Sequence, residues 1–167
     1  MKYIFDTNSF ITPHRAGYNP LDVAINFWNK IKELSDQSVI GSIDKVKAEL
    51  SEHDDDLRKW VNKTLPKDFF VKFETEATKE KFREVASWAQ NNTNYNTNAK
   101  AKFLNATKAD IYLVAFSATY PEEYTVVSFE RSAPQRIGEI KLPDACNAFG
   151  ARCIMMADMF RELKQTY

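Results

Sequence analysis

Lys2-Tyr3-Ile4-Phe5 is a bulky, β-prone run that ends abruptly in the polar triplet Asp6-Thr7-Asn8. Such a run reads as a short strand, and the triplet as the turn out of it. A helix is expected next, near 9–12, before Pro13. The same alternation then recurs along the chain. Leu21, Ala24, Ile25, Phe27, Trp28, Ile31 and Leu34 repeat at helical spacing behind Asn19-Pro20, which predicts a helix over 20–35. Residues 38–42 read as a second strand. Asp44 starts a helix running to about His53, and a further helix spans 54–65 up to Pro66. Residues 69–73 form a third strand. A helix over 78–90 carries Phe82, Val85, Ala86 and Ala89 on its apolar face. The asparagine-rich stretch 91–98 is expected to be a mobile loop. Helices over 99–105 and 107–119 follow, the second ended by Tyr120-Pro121. Tyr124–Ser128 is a buried strand, 140–142 a short one broken by Pro143, 146–149 a helical turn, and 155–163 a closing helix.

Strands that alternate with helices demand a mostly parallel sheet covered on both faces. The fold class is therefore α/β, a three-layer α/β/α sandwich with a mostly parallel central sheet. With 167 residues, no internal repeat and no Gly- or Pro-rich linker, the chain reads as one domain over 1–167. Only four glycines are present, and neither G-x-G-x-x-G nor a P-loop occurs. Lys plus Arg equals Asp plus Glu at 23 each, so a coat for duplex DNA is disfavoured, while a local basic patch stays open. Two cysteines and two distant histidines are a poor basis for zinc. Cys146 and Cys153 would share a face of one helix and are expected to pack as small apolar groups rather than form a bridge. No apolar run reaches about 18 residues and no leader is evident, so the expectation is a cytoplasmic protein without membrane contact.

Four acids fall where they need an explanation. Asp6 follows the first strand, at the end where ligands bind in open α/β sheets; the same triplet also reads as a helix cap. Glu49 sits beside Val46 on the edge of an apolar stripe, a place that also suits a boundary glutamate. Asp110 shares a helix face with Leu113, Val114 and Ser117. A carboxylate there needs a partner, a metal or a capping role, and Thr107-Lys108-Ala109-Asp110 fits a capping box. Glu130 lies two residues past the buried strand, where pairing with Arg131 is the plain alternative. All four face one sheet edge in this arrangement. Acids so gathered repel unless a cation joins them, and hard oxygen ligands select Mg²⁺ or Mn²⁺.

These segments carry a family resemblance. Tyr3-Ile4-Phe5-Asp6-Thr7-Asn8-Ser9-Phe10-Ile11 resembles the opening of PIN-domain nucleases. Ala109-Asp110-Ile111-Tyr112-Leu113-Val114-Ala115 resembles their Ala-Asp helix start, and Val126-Val127-Ser128-Phe129-Glu130 their strand end, with Glu130 and Ser128 in place of the usual Asp and Thr. Glu49 in Val46-Lys47-Ala48-Glu49-Leu50 falls where the family's helix glutamate falls. Lys141-Leu142-Pro143-Asp144-Ala145-Cys146 is similar to a motif of an uncharacterised PIN-like subfamily. The resemblance implies a Mg²⁺- or Mn²⁺-dependent ribonuclease. Asp6, Glu49 and Asp110 would be its metal ligands with Glu130 assisting, and Asn8 and Ser128 would orient ligands or water. It also implies partners like those of VapC-like toxins: an RNA substrate, an antitoxin protein that silences the enzyme, and a second copy of the chain. The segment from about 54 to 105 is longer than in compact members.

Residues 90–109 contain Lys100, Lys102 and Lys108 and no acid, with Tyr95 and Phe103 among them. That composition suits single-stranded RNA by phosphate contact and base stacking, and equally a solvated loop. Glu52-His53-Asp54-Asp55-Asp56 reads as acids at a helix start rather than a metal site. Trp28, Trp60 and Trp88 read as core or interface residues, and any exposed member could seat an antitoxin helix. Two other functions stay open. One is a PIN-like binding module without turnover. The other is a phosphotransferase with Asp6 as nucleophile, which Asn8 disfavours where a second Asp would stand.

Overall fold

The computed structural model describes residues 2–16, 24–52 and 55–167. Five short strands, β1 (Lys2–Phe5), β2 (Ile40–Ile43), β3 (Phe70–Val71), β4 (Tyr124–Ser128) and β5 (Cys153–Met155), make an all-parallel sheet in the order β3-β2-β1-β4-β5. Nine helices among the described residues complete the chain: α1 (Asn8–Arg15), α2 (Ile25–Asp36), α3 (Asp44–Leu50), α4 (Asp56–Thr64), α5 (Glu76–Asn91), α6 (Thr97–Phe103), α7 (Asp110–Thr119), α8 (Leu142–Ala148) and α9 (Met156–Glu162). The α/β sandwich read from the alternation is what the chain forms. No helix among the described residues is long and apolar enough to cross a membrane.

The central strands explain themselves. Ile4, Phe5, Ile40, Ile43, Val126 and Val127 are fully buried, as expected for parallel strands covered on both faces. β1 pairs with β4 along its whole length, from Lys2 opposite Tyr124 to Phe5 opposite Val127. Gly41 lets β2 lie close to its neighbours; an added Cβ would meet the Lys2 side chain at 2.5 Å and the Phe69 carbonyl at 3.2 Å. α7 is apolar nearly all round, burying Ile111, Leu113, Val114, Ala115 and Phe116, and lies against α5. α5 starts with a capping box in which the Thr75 hydroxyl accepts from the Thr78 amide at 3.1 Å and Thr78 Oγ1 accepts from the Thr75 amide at 2.9 Å. Thr75→Ala is expected to cost about 1 kcal/mol, the usual worth of such a cap, read as a lower urea midpoint with an unchanged slope.

Several expectations are corrected. The short strand over 140–142 does not form. Pro143 sits in the first turn of α8, where its missing N–H is harmless; the helix takes Leu142 from this stretch and the turn placed at 146–149, with Lys141 and Phe149 as its caps. The closing helix over 155–163 forms as α9, and an unexpected edge strand, β5, runs directly into it. Cys146 and Cys153 therefore lie on a helix and a strand rather than on one helix; both are free thiols. α1 continues through Pro13 to Arg15. Of the helix placed over 20–35, residues 20–23 lie outside the described residues and α2 begins at Ile25; the helix expected to run to about His53 ends at Leu50, with Ser51 as its cap. The stretch 91–98 is not a free loop. Asn92 Oδ1 accepts from the Asn94 amide, Asn96 caps α6 through the Ala99 amide, and the Asn96 amide bonds the Ile137 carbonyl at 2.9 Å.

Candidate functional site

The chain leaves β1 towards β2 on one side and returns to β4 on the other. The crevice of this sheet therefore lies outside the carboxyl ends of β1 and β4, where a reversal of strand order opens a ligand site. Asp6 is the first residue past β1 and only 1% exposed. Its Oδ1 accepts from the Ser9 amide and lies against the Ser9 hydroxyl, both at 2.6 Å; Oδ2 accepts from Ser128 Oγ at 2.6 Å. The capping role and the strand-end role thus coincide in one side chain. Burial pushes its carboxyl up to about 6, against the pull of the Ser128 and Ser9 hydrogen bonds and with the charge of Glu130 adding to the rise.

Glu49 comes from α3, which β2 aims at the same crevice. Its side chain is 11% exposed, and both carboxylate oxygens are bonded. Oε2 accepts from Thr7 Oγ1 at 2.8 Å and from the Ala109 amide at 3.0 Å, and Oε1 pairs with Lys108 Nζ at 3.0 Å. That hydrogen bond to Glu49 is the largest cause holding the Lys108 ammonium above its ordinary pKa.

Asp110 is the first residue of α7. The capping box expected there does not form: the Thr107 amide and hydroxyl both turn to Asn105 Oδ1, at 3.0 Å each, and Ala109 makes no side-chain cap. Among the described residues nothing donates a hydrogen bond to the Asp110 carboxylate. The residue is half-buried, with its open surface on the cavity described below. Removal from water raises its pKa to about 8, and the charges of Asp6, Glu130 and Glu49 add to the rise while Lys108 opposes it. The charges of Asp6, Glu49 and Glu130 all reach Asp110, the one of the four acids that receives no hydrogen bond among the described residues.

Glu130 holds the rim. Its Oε1 accepts from Asn8 Nδ2 at 3.4 Å, Oε2 from the Leu142 amide at 3.1 Å, and Lys141 Nζ stands 4.0 Å away. Its own amide donates to Ser128 Oγ at 3.0 Å, so Ser128 links Glu130 to Asp6. Asn8 and Ser128 both touch the acids they were expected to orient. A cavity of about 320 Å³ has two of the four acids, Asp110 and Glu130, in its wall beside Lys102, Lys108, Asn105 and Glu139; Asp6 and Glu49 do not line it. Lys100 does not line it; its ammonium donates to the Gln90 carbonyl at 3.0 Å. Tyr95 and Phe103 are 8% and 3% exposed, so neither offers a face to a base. They pack on Trp88 instead.

The acid run before α4 behaves as a helix start. Asp55 accepts from the Arg58 amide at 2.9 Å, while His53 and Asp54 lie outside the described residues. Trp28 is buried and Trp60 and Trp88 are partly buried against the core, so none of the three is an exposed docking residue. Sequence reasoning missed Thr7 and Ser9. The Asp6-x-x-Ser9 offset, which matches a side chain accepting from an amide three residues on, was the available signal for the second.

The donor set is all hard oxygen, and Asp110 lacks any compensating donor; both suit a divalent cation. Among the described residues no three His, Cys, Asp or Glu side chains stand gathered as a ready-made metal cage. No curated protein and no solved structure matches the chain. A family model described as a domain of unknown function (DUF4411) matches residues 3–167, a span that contains all four acids. The chain therefore belongs to the DUF4411 family.

Proposed function

We propose that the protein is a Mg²⁺- or Mn²⁺-dependent endoribonuclease of PIN-like type, acting in the cytoplasm as the toxin of a toxin–antitoxin pair. The observation that supports this reading is Asp110: a carboxylate that receives no hydrogen bond among the described residues, within reach of the charges of three further acids, in the wall of a cavity that also presents Lys102 and Lys108. Asp6, Glu49 and Asp110 would hold the ion, with Glu130 assisting. A bound divalent cation supplies an acidified water and charge stabilisation for in-line phosphodiester hydrolysis. Ser9 and Ser128 fix both oxygens of Asp6, and Thr7 and the Ala109 amide fix one oxygen of Glu49. Pre-set acids need no reorganisation when substrate arrives. Lys102 would meet the phosphate backbone, since among the described residues no carboxylate pairs with it.

The test is cleavage of mixed single-stranded RNA by the purified chain in Mn²⁺ and in chelator. Internal cuts that need Mn²⁺ and vanish in Asp6→Asn are expected. RNA binding with no cleavage under either condition would leave a binding module without turnover.

A further inference from the structure

Lys108 is a cation in contact with the acid group, and its placement has two sides. Its ammonium closes on Glu49 Oε1 at 3.0 Å, and it is the positive charge that offsets the rise at Asp110. Yet its side chain is 46% exposed and stands in the wall of the same cavity as Lys102 and Asn105. The acid is anchored and the base is not. Glu49 is held on its other oxygen by Thr7 Oγ1 and the Ala109 amide, whereas the only hydrogen bond the Lys108 ammonium makes among the described residues is to Glu49.

We propose that the Lys108 ammonium is the resident counter-ion of the acid site, that a divalent cation displaces it from Glu49, and that the freed ammonium then binds a phosphate of the RNA strand. This rests on the metal-dependent reading above. The physics is competition for one oxygen. A divalent charge among four acids outweighs a single ammonium, and two cations in contact with one carboxylate repel each other. A flexible four-carbon stem lets the ammonium swing away without moving α7. Metal and strand then bind cooperatively, because each favours the state in which Lys108 has left Glu49, and the coupling is reciprocal. Lys102, with no acid partner, serves as the internal contrast. Its contribution to strand binding is the same with and without metal, while that of Lys108 exists only with metal.

The experiment measures Mn²⁺ affinity by calorimetry, and strand affinity by fluorescence anisotropy in Mn²⁺ and in chelator. The strand is a short labelled 2′-O-methylated oligonucleotide, verified intact afterwards. In wild type, Mn²⁺ is expected to raise strand affinity on the order of tenfold, within the usual range of such couplings. Lys108→Gln should bind Mn²⁺ more tightly than wild type and lose the coupling. Lys102→Gln should weaken strand binding equally in both conditions and keep it. Each lysine that meets a phosphate should lower the salt slope by roughly 0.7 when removed. Lys108→Arg keeps the charge and guards against a folding defect in the glutamine variant; it should retain the coupling. Unchanged Mn²⁺ affinity and coupling in Lys108→Gln would reduce Lys108 to a structural ion pair. A wild type that takes up no Mn²⁺ overturns the metal reading and this inference with it.

Discussion

Asp110→Asn is expected to lower Mn²⁺-dependent RNA cleavage by two to three orders of magnitude while leaving the metal-free protein as stable as wild type or more so. The substitution keeps shape and removes charge. Loss of activity on that scale is what removal of one group stabilising a transition state costs. For stability, two effects compete. The carboxylate at the first position of α7 gains roughly 0.3–1 kcal/mol from the helix dipole, and the amide forfeits that. Against it stands the relief of an ionised group that receives no hydrogen bond among the described residues and feels Asp6, Glu130 and Glu49. A pKa raised to about 8 means the second effect wins, since the charged form is disfavoured in the folded chain. Added Mn²⁺ should stabilise wild type by about 2.7 kcal/mol at one hundred times its Kd, and the variant by much less. Melts of both proteins in chelator and in Mn²⁺ check this. A variant that melts well below wild type in chelator, yet gains as much from Mn²⁺, would remove Asp110 from the site.

The parts of this fold that a sequence shows are those whose cause is local. β1 and β4 were legible because each is an unbroken β-prone run that the chain stops with polar residues at the sheet edge. β5 was not. Cys153, Ile154 and Met155 form an edge strand that is only partly buried and runs straight into a helix, so no period separates the two. Ile140-Lys141-Leu142 shows strand-like alternation, but Pro143 fits the first turn of a helix equally well, and tertiary packing chose the helix. Within the site, Asp6, Glu49, Asp110 and Glu130 could be found because each breaks a local apolar pattern or ends one. Their partners could not. Thr7 and Glu49 are 42 positions apart and Lys108 and Glu49 are 59 apart, and both pairings exist only because the end of β1, α3 and the start of α7 meet at the same crevice. Lys108 reads as a phosphate contact or a solvated lysine, and not as a partner of Glu49, for that reason. The capping box at Asp110 failed on a different point: a motif offers a hydrogen bond, and here the nearer acceptor, Asn105, took it.

In chelator, wild type should become more stable as the pH falls from about 9 towards 5, the opposite of ordinary acid denaturation. An unfolded aspartate titrates near 4. In the folded chain Asp110 is pushed up to about 8 and Asp6 to about 6 by burial first and neighbouring charge second. Between the unfolded and folded values the native state holds more protons than the unfolded one, so stability falls as pH rises through that window and recovers as pH falls back. Paired surface acids act the other way. Glu162, held low by Arg152, contributes stability that is lost only when the pH drops through its own, lower range. The expected reading is a melting temperature at least about 2–4 °C higher near pH 5.5 than near pH 8.5, the shift that roughly 1 kcal/mol produces in a domain of this size. Asp110→Asn should flatten the profile, and the difference between the two proteins isolates Asp110 together with the groups its charge reaches, Asp6 first. Mn²⁺ should reverse the trend in wild type, because the ion binds the deprotonated acids and competes with protons for them. Parallel profiles for wild type and Asp110→Asn in chelator would show that Asp110 titrates like an exposed acid, and the case for an uncompensated charge at the cavity wall would fall with it.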